Sequence, residues 1–265
     1  MSKKQQVEKV EEAAVPSLLS ASMFKADAGK GTSAIDQEDL ALPFMKIFSG
    51  LEDIPDGGKK GDIHNTVTGQ IWSGSEGLDV VLAMFNKRFI LWGARGTGPG
   101  APLAIYSPGD PNIPKVERSP EDNKDYVVGG NGEYLETTAQ HYLVLLHEDG
   151  THETALLSMK STQIKKSRKW MSMVMSRNMT DEAGVPFTPP AYAYVYTLKT
   201  VSEENSKGKW YGWDISLADN GHKGVLQDAS AYNKAKTFAD SIMKGEVTVK
   251  HSSEENVIEK ENVPF

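Results

Sequence analysis

Cysteine is absent from this 265-residue sequence, which excludes disulfide bridges, thiolate metal ligands and cysteine nucleophiles. Long apolar runs are absent too, since none approaches the roughly 20 residues that cross a bilayer as a helix. The start, MSKKQQVEKVEE, lacks the apolar segment of a signal peptide. We therefore expect a cytoplasmic protein without membrane contact. An ordinary core remains possible, because 38% of the residues are hydrophobic and 25% are charged.

Signatures of catalysis are missing as well. Residues 93–101, GARGTGPGA, are rich in glycine but lack both the Gly-Lys-Ser/Thr of a P-loop and the spacing of a dinucleotide-binding turn. Among the histidines, only His147 and His152 lie close to another ligand type, Asp149, and the three surround a predicted turn where side chains usually face solvent. There is no GxSxG nucleophile motif. We expect no enzyme, no metal site and no cofactor.

Charge is unevenly distributed, although the net charge of −7 at first argues against nucleic-acid binding. Residues 154–180 contain six basic residues and no carboxylate. Residues 254–265 contain four Glu and one Lys. The sequence thus combines a basic interior segment with an acidic tail.

Composition divides the chain into three parts. Residues 1–38 are mostly small or charged, which is typical of a flexible segment, with a short helix possible around Ser17 to Lys25. Residues 39–248 carry the strand and helix patterns of one domain, interrupted at 95–138 by a long loop insertion rich in Gly, Pro, Asn and Asp. Residues 249–265 are expected to form a disordered acidic tail.

Strand patterns dominate the domain. GDIHNTVTGQIWSG and GLDVVLAMFNKRFILWG predict strands, and HYLVLLHEDGTHETALLSM predicts a hairpin around Glu148, Asp149 and Gly150. PPAYAYVYTLKTV and KWYGWDISL predict a further strand pair around SEENSKGK.

Two helices are predicted between and after these strands. STQIKKSRKWMSMVMSR would be capped by Ser161 or Thr162 and place Ile164, Arg168, Met171 and Met175 on one stripe. DASAYNKAKTFADSIMKG would begin at Asp228 or Ser230, end at Gly245 and bury Tyr232, Ala235, Phe238, Ala239 and Ile242. The order predicts a mainly β α+β fold: an OB-fold-like five-stranded barrel with a helix between strands 3 and 4, and a C-terminal helix.

Aromatic and basic residues alternate in three stretches, FNKRFILWGARG, KKSRKW and KGKWYGW, which contain four of the five Trp. Proteins that bind single-stranded nucleic acid without sequence preference use aromatic rings for the bases and cations for the backbone. Aromatic residues on strands are also common in cores, so no single ring indicates nucleic-acid binding. The prediction depends on the occurrence of three such stretches in one domain. The predicted DNA-binding residues are Lys87, Arg88, Phe89, Trp92, Arg95, Lys165, Lys166, Arg168, Lys169, Trp170, Lys209, Trp210, Tyr211 and Trp213.

These motifs resemble a known family. The tail EENVIEKENVPF is similar in layout to the acidic, Phe-terminated tails of bacterial and phage single-stranded DNA-binding proteins. GDIHNTVTG, FNKRFILWGARGTGPGA, STQIKKSRKW and KGKWYGW resemble the core of podophage single-stranded DNA-binding proteins, over about residues 40–245.

The resemblance implies sequence-independent protection of single-stranded DNA during replication and recombination, in the cytoplasm of an infected bacterium. It also implies that the tail recruits replication or recombination proteins through Glu261, Val263, Pro264 and Phe265, by capture of an apolar ring beside a carboxylate. Host RNA polymerase is a further partner that the resemblance raises.

Two alternatives stay open at this stage. An RNA-binding or transcription-activating module could use the same surface, and binding to ribose and deoxyribose oligomers would distinguish it. A metal-dependent nuclease whose carboxylates are dispersed in sequence is the second alternative, which cleavage of labelled DNA with Mg²⁺ would reveal.

Overall fold

The computed structural model describes residues 21–32, 40–94, 101–205, 208–247 and 249. Contacts divide the chain into two units, residues 1–40 and 41–265. The described part of the first unit contains one short helix, α1 (Ala21–Ala26), which overlaps the helix predicted around Ser17 to Lys25. None of the described helices is both long and apolar enough to cross a membrane.

The second unit is mainly β, as predicted. Its strands, in chain order, are β1 (Met45–Ile47), β2 (Ile63–Asn65), β3 (Ile71–Trp72), β4 (Leu78–Trp92), β5 (Ala104–Tyr106), β6 (Val116–Arg118), β7 (Asp125–Val127), β8 (Tyr134–Leu146), β9 (His152–Lys160), β10 (Met179–Thr180), β11 (Pro186–Phe187), β12 (Val195–Asn205) and β13 (Gly208–Leu217). Its helices are α2 (Ile164–Met175) and α3 (Ala229–Lys244).

One curled antiparallel sheet forms the body of this unit. Its path is β13-β12-β4-β8-β7-β6, with β5 paired to β4 and β9 paired to β8. The five longest strands therefore lie in the order β9-β8-β4-β12-β13, and α2 connects β9 to β12. Strands β1, β2 and β3 form a separate small sheet, and β10 pairs with β11.

The sheet has a buried cluster on each face. The inner cluster includes Val80, Leu82, Leu143 and Leu157, and it is where Trp170 of α2 packs. The outer cluster lies under α3. Its buried members are Val81, Ala83, Tyr142, Val144, Leu156, Val195, Ala218, Ala235 and Phe238. Successive residues of β4 and β8 point to opposite faces, so these two strands contribute side chains to both clusters. The sheet therefore lies between α2 and α3.

A register shift interrupts β4. Leu82 lies opposite Leu143 and Met84 lies opposite Tyr142, so Ala83 is an additional residue in this strand. An additional residue changes the parity of a strand, because successive side chains point to opposite faces. Before the shift, the even-numbered Val80 and Leu82 face the inner cluster. After the shift, the odd-numbered Phe85 points to the same side of the sheet.

Several predictions about elements are confirmed. The hairpin around Glu148, Asp149 and Gly150 joins β8 to β9, and β12 pairs with β13 as predicted. Helix α3 begins at the N-cap Asp228, whose side chain accepts hydrogen bonds from the backbone N–H groups of Ser230 and Ala231, and it ends at Gly245 in the left-handed conformation.

Other predictions are corrected. The region 95–138 is not a structureless loop over its described part, because it carries β5, β6 and β7. GDIHNTVTGQIWSG forms β2 and β3 of the small sheet, outside the main one. The main sheet has eight strands, and within the described residues no ladder joins β9 to β13 as closure of a five-stranded barrel requires.

The helix stripes differ in detail as well. Neither Ser161 nor Thr162 caps α2, because the chain enters this helix through a 3-10 turn, Ser161–Gln163. Tyr232 is 38% exposed and so lies off the buried stripe predicted for α3, and Met175, at the end of the stripe predicted for α2, is 71% exposed. In α2 the fully covered residues are Ser167 and Trp170.

Candidate nucleic-acid interface

Helix α2 is attached to the sheet through aromatic rings. Trp170 is fully buried, its ring centroid lies 4.8 Å from that of His141 on β8 in a stacked arrangement, and it meets Tyr196 of β12 edge-on at 5.5 Å. Aromatic pairs in these geometries add to the stabilisation from buried area. The helix is therefore fixed over two strands that are not neighbours, β8 and β12.

His141 makes the polar part of this attachment. Its Nδ1 lies 3.3 Å from the carbonyl oxygen of Leu157, which can only accept, so Nδ1 carries the proton and donates. Its Nε2 then accepts from the Ser167 hydroxyl at 3.1 Å. Burial lowers the pKa of His141 to about 4, with the carbonyls of Leu157 and Ala139 acting in the opposite direction. His141 is therefore neutral near pH 7.

The solvent side of α2 is basic. Lys165, Arg168 and Lys169 are exposed, and the helix contains no carboxylate. Within the part of the chain that the structure describes, none of the three forms an ion pair, whereas Lys166 is half-buried and lies 2.8 Å from Glu203. Three of the four predicted cations on this helix thus present an uncompensated charge to solvent.

Glu203 of β12 neutralises the adjoining part of the predicted site. One of its oxygens accepts from Trp210 Nε1 at 2.9 Å and from Gln163 Nε2 at 3.3 Å, and the other contacts Lys166. Burial raises the pKa of Glu203, but the hydrogen bonds from Lys166 and Trp210 more than offset this effect and lower it. Trp210 is half-buried beside this carboxylate, and Lys209 is paired with Glu204 at 3.1 Å.

Tyr211 is half-buried and lies on the opposite face of β13 from Trp210. Its ring passes so close to Gly61 that an added Cβ there would be 2.5 Å from Cε1 of the tyrosine. Gly61 also has a φ of 92°, so a side chain at this position is excluded on both counts.

The outer half of β4 carries the third predicted stretch. Lys87 is exposed, and its Nζ lies 4.7 Å from the ring centroid of the half-buried Phe89. Phe85, on the same face, is 36% exposed, and its ring centroid is 5.2 Å from that of His141. Arg88 points to the other face and donates to the Ser107 hydroxyl at 2.9 Å. The Lys87 face of β4 and the basic helix α2 thus meet at His141.

Three of the predicted aromatic platforms are corrected by their burial. Trp92 and Trp213 are each 4% exposed, and Trp170 is 0% exposed, so their faces are not open for stacking on bases. Trp170 and Ser167 are three residues apart and form the buried stripe of α2. Trp213 belongs to the inner cluster, and Trp92 packs with Ile90 and Tyr134 in a small cluster at the end of β4.

Five further predicted site residues lie outside the described residues. These are Arg95 and the four predicted partner-binding residues, Glu261, Val263, Pro264 and Phe265. Their roles stay predictions.

The structure also contains a pocket that the sequence did not indicate. This aromatic pocket, of about 590 Å³, lies where the small sheet meets β4, β8, β9 and β13. Its lining includes Phe48, His64, Trp92, Thr138, Ser158 and Trp213. Phe48 and His64 stack at 4.0 Å between ring centroids, and burial together with the nearby charge of Lys46 lowers the pKa of His64. Thr138 and Ser158 carry no motif in the sequence, so only the strand pairing reveals them.

A second, acidic pocket of about 930 Å³ contains the three residues considered for metal binding. His147 lies 3.7 Å from Glu153, and His152 lies 2.9 Å from Asp228. Asp149 accepts from the backbone N–H of Thr151. Among the described residues, no group of three His, Asp or Glu side chains is arranged to hold a metal ion.

The comparisons with known proteins give one result that covers most of the chain. No curated protein and no solved structure matches this sequence. Residues 9–248 match the family model described as Pam3 phage gp34-like protein. The chain is therefore a bacteriophage protein and belongs to the Pam3 phage gp34-like family.

Proposed function

We propose that this protein binds single-stranded DNA without sequence preference and protects it, as a binding protein and not as an enzyme. The observation that carries the proposal is the row of exposed cations on α2, Lys165, Arg168 and Lys169, which no described carboxylate neutralises. Like charges close together on a helix destabilise it, so an unpaired basic face is best accounted for by an external polyanion.

Strand β4 supplies the second element of the proposed surface. Phe85 and Phe89 are partly exposed on either side of Lys87. Rings and a cation on one face suit stacked bases and a phosphate, respectively. In this proposal Phe85, Phe89, Trp210 and Tyr211 are the rings available to the strand, in place of the three buried tryptophans.

The strand order is consistent with the proposal. In chain order, the five long strands are β4, β8, β9, β12 and β13, and they lie side by side in the order third, second, first, fourth, fifth. The helix α2 lies between the third and the fourth. An OB fold, a common single-strand binder, has its helix at the same point, and we propose that this unit is an opened and extended variant of it.

Titration of the protein with oligo-dT at several salt concentrations tests the proposal. We expect single-stranded DNA to bind at least about tenfold more tightly than duplex, because only unpaired bases can stack on the exposed rings. The triple variant K165A/R168A/K169A should lose affinity on the order of a hundredfold at low salt. Its slope of log affinity against log salt should be shallower by about 2, since three phosphate contacts are removed.

The matched control removes the same charge elsewhere. Lys223, Lys236 and Lys244 lie on and near α3, and the last two pair with Asp240 and Glu246. The variant K223A/K236A/K244A should bind within about twofold of the unmodified protein, because its phosphate contacts remain. Equal losses in the two variants would indicate a general charge effect, and equal affinity for single strands and duplex would contradict the proposed selectivity.

A further inference from the structure

The aromatic pocket contains polar atoms that lack partners. Thr138 is 2% exposed, and within the described part of the chain its Oγ1 makes no hydrogen bond. Ser158 Oγ and His64 Nδ1 are also buried atoms that make no hydrogen bond among the described residues. Buried polar atoms in folded proteins nearly always have a partner, so a molecule that enters this cavity meets three groups able to form hydrogen bonds.

The pocket walls suit a flat, uncharged group. Phe48, Trp92 and Trp213, each 4% exposed, border the cavity, and the half-buried Tyr211 contributes the more open aromatic surface. A volume of about 590 Å³ lies within the range of small-molecule sites and holds a nucleobase together with its sugar. The pocket is therefore large enough for one nucleoside unit of a strand.

Charge at the pocket argues against a phosphate inside it. Glu52, Asp53 and Glu136 belong to the lining and outnumber its two lysines, Lys46 and Lys160. Burial raises the pKa of Glu52, but hydrogen bonds from Ser49 more than offset this and lower it, so this group is ionised near pH 7. Lys160 lies 3.7 Å from Glu136, which compensates much of its charge. Carboxylates repel phosphate, so the entering part of a nucleotide is its neutral base.

The pocket adjoins the proposed DNA surface. Gln163 lines it, immediately precedes α2, and accepts a hydrogen bond from the backbone N–H of Trp213 at 3.0 Å. Lys165 follows two residues later on the same helix. Thr138 lies in register between Arg88 of β4 and Lys160 of β9. Because register partners share a face, Thr138 lies on the Arg88 side of the sheet, and a strand that contacts α2 reaches the pocket past Gln163.

We propose that the aromatic pocket accepts one unpaired nucleobase of the bound strand, and that the hydroxyls of Thr138 and Ser158 bond to the polar edge of this base. The inference rests on the proposed function and extends it by naming the site and the group that enters it. Donors and acceptors on a base edge match hydroxyls, which can both donate and accept. The inserted base leaves the row of stacked bases, as in other proteins that hold single nucleotides in pockets.

The double variant T138V/S158A tests the inference, because it removes both hydroxyls while preserving side-chain shape. Two oligonucleotides of equal length are titrated, oligo-dT and an oligomer of abasic sites with the same phosphates. We expect about tenfold weaker binding of oligo-dT, from the loss of two hydrogen bonds. The abasic oligomer should bind equally well to the variant and to the unmodified protein, because both retain the α2 cations.

Two controls separate this effect from damage to the fold. S216A/T180V removes hydroxyls that are exposed on β13 and β10, and it should leave the affinity for oligo-dT unchanged. T138S keeps the hydroxyl in the pocket and should bind oligo-dT within about twofold of the unmodified protein. The melting temperature of T138V/S158A should be unchanged or higher, since it removes unpartnered buried polar atoms.

The outcomes distinguish this inference from the proposed function. If T138V/S158A binds oligo-dT as well as the unmodified protein, or weakens on both oligomers equally, the pocket does not hold a base, although single-strand binding stands. If the unmodified protein does not bind oligo-dT at all, both the proposed function and the pocket assignment are overturned.

Discussion

Helices α2 and α3 cover opposite faces of the same sheet and differ in whether their charged side chains form ion pairs. In α3, Lys236 pairs with Asp240 four residues later, and the last lysine, Lys244, pairs with Glu246. Helix α2 has no carboxylate, and three of its cations have no ion-pair partner among the described residues. The lesson is that, among the described residues, Lys236 and Lys244 of α3 pair with carboxylates of the chain, whereas three cations of α2 do not.

The two helices also differ in what stabilises them. Asp228 caps α3 with two hydrogen bonds to backbone N–H groups, and Gly245 ends it in the left-handed conformation. No side chain caps α2, which instead depends on the stacking of Trp170 on His141. Local signals therefore define α3, and tertiary packing defines α2.

The largest expected effect concerns the anchor of each helix. Trp170→Ala should lower the free energy of unfolding by about 3–5 kcal/mol, because it removes a fully buried ring that contacts both His141 and Tyr196. Phe238→Ala on α3 should cost less, since this ring is 6% exposed and contacts Tyr142 at one edge. Urea denaturation measures both, and an equal or smaller loss for Trp170→Ala would show that α2 is not held mainly by its indole.

The next effect is a pH dependence that arises from His141 at the α2 attachment. His141 has a folded-state pKa of about 4 and an ordinary value of 6.5, so between these values the unfolded chain binds more protons than the fold does. Stability is therefore complete above about pH 6.5 and is lost as the pH falls toward 4, by about 3 kcal/mol in total. Urea midpoints at pH 7, 6, 5 and 4 should show this decline.

The control for this prediction is His141→Gln, which retains hydrogen-bonding groups but cannot ionise in this range. Its free energy of unfolding should fall less steeply between pH 6.5 and 4 than that of the unmodified protein. Parallel pH profiles for the two proteins would show that other groups cause the decline.

The smallest effect tests the difference in capping. Asp228→Ala should cost about 1 kcal/mol, because the N–H groups of Ser230 and Ala231 lose their acceptor. Asp228→Asn retains an acceptor and should cost less. Ser161→Ala and Thr162→Ala at the start of α2 should be close to neutral, since neither residue caps it; thermal melts that show a loss of 1 kcal/mol there would contradict the assignment.

Much of the fold could be predicted from local patterns. The hairpin at Glu148 to Gly150, the β12–β13 pair and the limits of α3 each follow from turn, alternation and capping signals within a few residues. Strands β5, β6 and β7 could not be predicted, because each is three residues long and the Gly and Pro around them mask any alternation. The position of β2 and β3 in a separate sheet depends on long-range pairing with β1, which no local pattern encodes.

The exposure of the cations in the predicted site could be expected from the sequence, whereas the burial of its tryptophans could not. Lys87, Lys165, Arg168 and Lys169 are exposed as a nucleic-acid surface requires, since charged side chains remain near water wherever no partner is available. Tryptophan has no such constraint, because its large apolar ring is suited equally to a core and to a base. Trp170 is buried because it lies on the stripe of α2 that packs against the sheet. The face to which Trp92 points depends on the register shift in β4, which the sequence does not reveal.

That register shift makes the two halves of β4 independent. Leu78 to Leu82 keep their alternation for packing against the interior, while the additional residue Ala83 resets which side chains of the outer half share a surface. Without this shift, uninterrupted alternation from Leu82 onward would place Asn86, Arg88 and Ile90 on that surface in place of Phe85, Lys87 and Phe89. The strand can therefore present odd-numbered side chains on this face in its outer half while it packs even-numbered ones there in its inner half.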